Sequence, residues 1–201
     1  MSLDVDHVRK TLALAPAGQA GVAVGNYEGH RRAMLHWFEQ QEGRWDANGV
    51  ILGSLAVFGW MPTILEGRTP SSKVMTTERA ELIANSLNAR EVEGVPFDFV
   101  NNSSVGTSKF LHFWRPSEFP IWDINVSAAL YQDDRRRQKA CTYQMYRRAM
   151  IDIARHDDPA VQASQLLVNE QKLFRLGQRV LPAIRARKKA EREERKTRSK
   201  T

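Results

Sequence analysis

The spacing of the apolar residues constrains this chain most, because they recur every three or four positions and seldom alternate with polar ones. Ala33, Met34, Trp37 and Phe38, for example, fall on one side of a helix that continues to Gln41. Few segments show the period-two pattern of half-buried strands, so the sequence predicts an all-α, or mainly α, domain. Helices are predicted over residues 4–14, 48–58, 125–131, 139–155 and 161–168, and two more are predicted up to residue 41 after the cap Asn26 and over 78–88 after the cap Thr77. A last helix from Glu170 is expected to run past Pro182 into the charged tail, with a kink or an end at the proline.

Positive charge is concentrated near the end of the sequence. The 201 residues carry a formal net charge of +7, and residues 185–201, with nine Lys or Arg and three Glu, account for six of those charges. The nearly neutral residues 1–184 are expected to form one helical domain, and residues 185–201 a tail that is frayed helix or disordered. The tail is interpreted either as a solubility tail or as an anchor that binds DNA phosphates without reading sequence.

The rarity of cysteine limits the kinds of site that this chain can build. Cys141 is the only one, which excludes an internal disulfide, a thiolate zinc site and a four-cysteine cluster formed by this chain alone. The histidines show no metal-ligand spacing, so no metal or other cofactor is predicted. No apolar run approaches the roughly 18 to 20 residues of a membrane span, and the first residues lack a secretory pattern. We therefore expect a cytoplasmic protein, with association with the nucleoid as an option and no membrane partner.

Residues 102–107 have the composition of a tight turn that leads into a helix. Gly106 would let the backbone come close to a partner, and Thr107 or Ser108 would cap the helix. The backbone amides at such a helix start suit a DNA phosphate. Val105, Gly106, Thr107 and Ser108 are therefore predicted to bind DNA.

Lys109 and Asp123 are the residues of this region on which chemistry would depend. Lys109 would lie in the first turn of the helix, where the helix dipole and partial burial both disfavour the ammonium form. Asp123 follows the stiff connector Pro-Ile-Trp and would begin the next helix. An amine nucleophile and a nearby carboxylate suit attack on a glycosidic carbon, since the amine forms a Schiff base with the sugar and the carboxylate balances developing positive charge. Taken singly, Asp123 is most simply a helix N-cap and Lys109 a surface lysine; together they favour catalysis.

Aromatic residues surround these two positions in the sequence. An enzyme that acts on a base within a duplex takes that base out of the stack and holds it between aromatic or apolar walls. Phe110, Phe113, Trp114, Phe119 and Trp122 are the candidates for such a pocket, although core packing is the simpler role for most of them.

Other polar residues near this region have competing interpretations. His112, three residues after Lys109, is predicted to be packed or hydrogen-bonded rather than catalytic. Arg135, Arg136 and Arg137 are candidate DNA contacts, and a solvated charged link explains them equally well.

Residues 104–109, Ser-Val-Gly-Thr-Ser-Lys, are followed at 119–126 by Phe-Pro-Ile-Trp-Asp-Ile-Asn-Val. This combination resembles the helix-hairpin-helix DNA glycosylase superfamily, in particular the 8-oxoguanine DNA glycosylase-like proteins of bacteria and phages. On this resemblance Val105, Gly106 and Thr107 match the hairpin, Lys109 the catalytic lysine and Asp123 the catalytic aspartate.

The resemblance implies an all-helical enzyme that binds DNA and removes a damaged or modified base, as in base-excision DNA repair. It leaves open whether strand cleavage by a lyase reaction follows. The alternative is a non-catalytic DNA-binding protein that uses the helical hairpin as a phosphate clamp and the basic tail for affinity.

Overall fold

The computed structural model describes residues 3–15, 27–60, 75–91, 95–132 and 142–198, and these residues form eight α-helices with no β-strand among them. In chain order the helices are α1 (Val5–Leu14), α2 (Tyr27–Gln40), α3 (Ala47–Trp60), α4 (Thr77–Ala89), α5 (Ser104–Trp114), α6 (Ile124–Tyr131), α7 (Tyr143–Ala154) and α8 (Pro159–Arg198). The all-α class predicted from the apolar spacing is confirmed. Among the same residues, no helix is both long and apolar enough to span a membrane.

Side-chain caps fix the starts of several helices. Asp4 caps α1, Thr76 caps α4 and Thr142 caps α7, each by accepting a hydrogen bond from the backbone N–H three residues ahead. The α4 helix therefore begins one residue earlier than predicted, because Thr76 rather than Thr77 takes the capping position. The predicted cap of α2, Asn26, lies outside the described residues.

The last helix, α8, is a single helix of 40 residues, whereas the sequence predicts a break before Glu170 and a kink or end at Pro182. A proline lacks the amide hydrogen and crowds the carbonyl four residues back, which usually weakens a helix. Ile184, two residues beyond Pro182, is buried, as is Gly177 before it, so packing holds the helix on both sides of the proline. The helix continues past Pro182 into the charged tail, as predicted, and does not end at the proline, so the basic tail is helical as far as Arg198.

The chain divides into two compact units, Met1–Ala20 with Trp122–Thr201 and Gly21–Ile121. We call the first the discontinuous unit and the second the continuous unit. Residues 1–184, which the sequence suggests as one domain, are therefore shared between both. The discontinuous unit contains α1 and α6 to α8, and the continuous unit contains α2 to α5.

In the discontinuous unit, α1 packs with helices from the other end of the chain. The Nε2–H of His7 donates to the carbonyl oxygen of Leu130 in α6 over 2.8 Å, and the rings of His7 and Tyr131 stack. The α6 helix approaches α8 so closely that a Cβ atom on Gly177 would lie 1.9 Å from the carbonyl oxygen of Asn125. The lack of a side chain at position 177 therefore allows this helix crossing.

In the continuous unit, aromatic rings form the core. The ring centroids of Phe38 in α2 and Phe110 in α5 are 4.9 Å apart, and Phe99 and Trp45 lie 5.0 and 5.4 Å from Phe110. The side-chain amide of Asn88 in α4 bonds both the backbone N–H and the carbonyl of Trp45, over 2.9 and 2.8 Å. These two bonds fix the segment between α2 and α3 on α4.

Candidate functional site

A compact turn precedes α5 and sets where the helix begins. Asn101 and Asn102 both adopt the left-handed conformation, with φ of 54° and 49°, and the backbone N–H of Ser103 donates to the Val100 carbonyl. Asn tolerates this conformation better than most residues, which explains two in succession. The helix then starts at Ser104, three residues before the predicted cap.

The hairpin residues Val105 to Ser108 consequently lie inside α5 rather than ahead of it. The expectation that Thr107 or Ser108 caps the helix is wrong: the Thr107 hydroxyl accepts from the Val100 N–H over 2.9 Å, and the Ser108 hydroxyl donates to the Val105 carbonyl over 2.9 Å. A Cβ atom on Gly106 would lie 2.8 Å from the Val100 carbonyl oxygen, so the close approach that this glycine allows is to the chain's own backbone.

Lys109 lies in the second turn of α5, not in the first turn as predicted, because the helix starts earlier. Its side chain is buried, with 5% of the residue exposed. Lysine is among the residues that are least often buried, since a desolvated ammonium is costly unless other groups compensate it. The position is therefore not that of an ordinary surface lysine.

Phe110 and Phe113 occupy the interior of the continuous unit rather than the walls of a pocket. Both rings are almost completely buried, and Phe38 contacts both, with centroid distances of 4.9 Å to Phe110 and 5.7 Å to Phe113. Since these rings form the core, their assignment as base-stacking candidates gives way to the simpler packing role.

Trp114 and Trp122 have different surroundings. Trp114 is half-buried, with its ring 5.7 Å from that of Phe119 and the guanidinium of Arg115 4.3 Å from its centroid. Trp122 belongs to the discontinuous unit, where its ring packs 4.9 Å from Tyr146. Phe119 is fully buried. Among these pocket candidates, Trp114 is thus the one that is half-buried rather than buried.

His112 is buried in the continuous unit, in agreement with the prediction that it is packed and hydrogen-bonded. Its Nδ1 lies 3.0 Å from the Phe119 carbonyl oxygen, and because a carbonyl only accepts, Nδ1 carries the hydrogen. Burial lowers the pKa of His112 to about 4, and the positive charge of Arg31 acts in the same direction. His112 is therefore a neutral structural imidazole near pH 7.

Asp123 is the N-cap of α6. One carboxylate oxygen accepts a hydrogen bond from the Val126 N–H over 2.8 Å, and 9% of the residue is exposed. The predicted position at the start of a helix is confirmed, and the cap fixes the side-chain orientation. A carboxylate offers about four lone-pair sites, so capping one N–H does not exhaust its capacity to interact.

The capping role can be separated from the negative charge of Asp123 by two substitutions. Asp123→Ala removes the cap and should lower the free energy of unfolding by about 1 kcal/mol, whereas Asp123→Asn keeps an equally good cap and should change it by less than about 0.5 kcal/mol. Urea titration of both variants measures this difference. Equal destabilisation by Asn and Ala would contradict the capping role.

Asn169 and Glu170 are buried polar residues that the sequence reasoning missed. They lie on the side of α8 that also buries Leu166, Leu173 and Gly177, at helical spacings of four, three and seven residues from Glu170. An acidic residue within an apolar helix stripe is a signal that could have identified Glu170, because Glu is rarely buried alone.

Tyr143 of α7 belongs to the same buried environment in the discontinuous unit. Burial raises the pKa of Tyr143 well above its usual value of 10.0, and the charge of Glu170 also raises it, while Arg147 acts in the opposite direction. The phenol therefore stays protonated at neutral pH and can donate a hydrogen bond.

The candidate residues predicted from the sequence lie in both units, and three of them lie outside the described residues. Lys109 belongs to the continuous unit and Asp123 to the discontinuous unit, and both residues are buried. Arg135, Arg136 and Arg137 lie outside the described residues. Within the part of the chain that the structure describes, no group of three His, Cys, Asp or Glu side chains could hold a metal ion.

Comparisons of the chain with protein-family models, curated proteins and solved structures found no match. A proposal for the function of this chain therefore rests on its own residues and their geometry.

Proposed function

We propose that this chain is a DNA glycosylase-like enzyme that cleaves the N-glycosidic bond of a damaged or modified base, with Lys109 as nucleophile and Asp123 as the stabilising carboxylate. The observation that carries the proposal is the burial of both residues. Among the lysines that the structure describes, Lys109 is the one that is buried, at 5% exposure, and Asp123 is 9% exposed. Buried ionisable groups concentrate at functional sites.

The chemistry requires a lysine that can become a neutral amine. The Nζ lone pair of Lys109 forms a bond to the anomeric C1′ of the sugar, and the bond between C1′ and the base nitrogen breaks, so that the base leaves with the bonding electrons. One Nζ proton passes to the departing base, and the other passes to the ring oxygen O4′ as the C1′–O4′ bond breaks and the sugar ring opens, which leaves a Schiff base between Nζ and C1′. A lysine held away from bulk water is the kind that meets this requirement, because desolvation disfavours the ammonium form.

The carboxylate has a complementary part in such a reaction. Positive charge develops on the sugar as the base departs, and an anion of fixed orientation stabilises that transition state. Asp123 has a fixed orientation because it caps α6. Its Asn variant retains the cap and lacks the charge, so it isolates the electrostatic contribution from the structural one.

Trapping with borohydride tests the proposal. The protein is mixed with duplexes that each contain one altered base, such as an oxidised purine, an oxidised pyrimidine, an alkylated purine or uracil, and the Schiff base is reduced to a stable adduct. We expect an adduct on at least one duplex with wild type and none with Lys109→Gln. Asp123→Asn should fold normally and lower the rate of base release by about 100-fold or more, the size expected for loss of one transition-state contact.

An exposed lysine provides the matched control. Lys172 of α8 is exposed, so Lys172→Gln removes the same charge without touching the site, and it should form the adduct as wild type does. An adduct that persists in Lys109→Gln would contradict the assignment of the nucleophile. If wild type binds DNA in a salt-sensitive way but forms neither adduct nor abasic product on any duplex, the chain is a non-catalytic DNA-binding protein.

A further inference from the structure

The last part of α8, residues 185–198, is a solvated basic helix. It contains eight Lys or Arg and three Glu, and its residues are exposed except for the half-buried Lys188. Its largest apolar side chains are the methyl groups of two alanines and a threonine. Packing therefore does not account for the order in which its charges occur.

The basic residues are sorted around this helix. At about 100° per residue, six of them fall within about 120° of arc, while all three glutamates point elsewhere. The six, which we call the basic face, are Arg185, Lys188, Lys189, Arg192, Arg195 and Lys196. They extend over about 16 Å, since the rise is about 1.5 Å per residue.

The remaining two arginines lie on the other side of the helix among the glutamates. Arg187 lies 3.9 Å from Glu191, and Arg198 lies 2.6 Å from Glu194. Arg187 and Arg198 thus contribute to ion pairs within the helix, and the Nζ atom of Lys196, which belongs to the basic face, lies 3.2 Å from a carboxylate oxygen of Glu193. Exposed pairs of this kind contribute little to stability and yield readily to a stronger anion.

A row of cations along one side of a helix suits a linear polyanion. An anionic membrane is a poorer fit, because helices that lie in a membrane surface carry large apolar residues opposite their basic side and this segment has none. We propose that the basic face binds the phosphodiester backbone of a duplex nucleic acid without reading its sequence. This interaction is independent of the chemistry proposed for Lys109.

A variant of identical composition tests whether the face, rather than the charge, binds. Arg185→Ala with Ala186→Arg, Lys189→Ala with Ala190→Lys, and Lys196→Thr with Thr197→Lys together move three charges by about 100° around the helix and keep the net charge. We expect this face-moved variant to bind a labelled duplex of mixed sequence about tenfold more weakly than wild type at about 100 mM salt. The slope of log K against log salt should become shallower by about 2 to 3, because each lost phosphate contact removes about 0.9.

The control variant neutralises the other side of the helix. Arg187→Ala with Arg198→Ala removes two charges from that side and should weaken binding by less than about twofold. Circular dichroism verifies that both variants keep the helix. Duplex DNA and duplex RNA are compared as probes, since both present phosphodiester groups. The duplex that wild type binds more tightly identifies which of the two nucleic acids is the partner.

Several outcomes would overturn the inference. Unchanged binding by the face-moved variant, an equal loss in the control variant, or tighter binding of wild type to phosphatidylserine vesicles than to either duplex each contradict a directed nucleic-acid face. Both variants keep Lys109 and Asp123, so adduct formation at saturating DNA distinguishes a failure of this face from a failure of the proposed chemistry.

Discussion

Alanine at position 177 should destabilise the discontinuous unit by at least about 3 kcal/mol, the upper end of the usual cost of overpacking. The added Cβ atom would lie 1.9 Å from the carbonyl oxygen and 2.7 Å from the Cα atom of Asn125. These are backbone atoms, which cannot rotate away as the end of a flexible side chain can. The α6 and α8 helices would have to move apart, and the contacts between them would weaken.

The same substitution at Gly29 is the matched control for this prediction. Gly29 lies in α2, and a Cβ atom there would meet nothing within 4 Å. Because alanine favours a helix by about 1 kcal/mol over glycine, Gly29→Ala should leave stability unchanged or raise it slightly. Urea unfolding followed by circular dichroism measures both variants. A Gly177→Ala protein as stable as wild type would contradict the close packing of α6 on α8.

Acid should destabilise the continuous unit through His112. The pKa of this residue is lowered from 6.5 to about 4 in the folded protein, mainly by burial. Between these values the unfolded chain binds a proton that the folded protein does not, so stability is fully present above about pH 6.5 and falls as the pH decreases towards 4. The shift of about 2.5 units corresponds to a loss of roughly 3 kcal/mol by pH 4, with little further loss from this residue below it.

The variant His112→Asn separates the pH-dependent loss of stability due to His112 from the effects of other titrating groups. The side-chain amide nitrogen of Asn lies near the position of Nδ1 and can donate to the Phe119 carbonyl, yet it does not titrate. Unfolding of wild type and His112→Asn is compared at several values between pH 4 and 7.5. We expect wild type to lose about 3 kcal/mol relative to the variant over this range. A constant difference would contradict a depressed pKa of His112.

The fold class was predictable because local spacing determines it. The apolar residues of α2, such as Trp37 and Phe38, occupy one side of any helix that contains them, whatever the rest of the chain does. The continuation of α8 past Pro182 was expected, but the sequence left open whether the proline would end the helix. Whether a helix survives Pro182 depends on burial of Ile184, which is a property of tertiary packing.

The candidate site likewise combines features that the local sequence predicts with features that depend on tertiary packing. The position of Asp123 at a helix start followed from the preceding proline-containing connector, and it is confirmed. The start of α5 was misjudged because Thr107 has the chemistry of a cap, although Asn101 and Asn102 are a turn signal that favours an earlier start. The sequence suggested partial burial of Lys109, but the exposure of only 5% is a tertiary property that the neighbouring residues do not determine.

The split of the discontinuous unit between the two ends of the chain affects the order in which the protein can form. The continuous unit is one stretch of residues, so it has all its own partners as soon as that stretch has left the ribosome. The N-terminal α1 helix emerges earlier still, yet the carbonyl that His7 bonds belongs to Leu130, 123 residues further along. Closing so long a loop carries an entropic cost that only the later helices can offset. The α1 helix, although it is made before the continuous unit, therefore docks after that unit has been made.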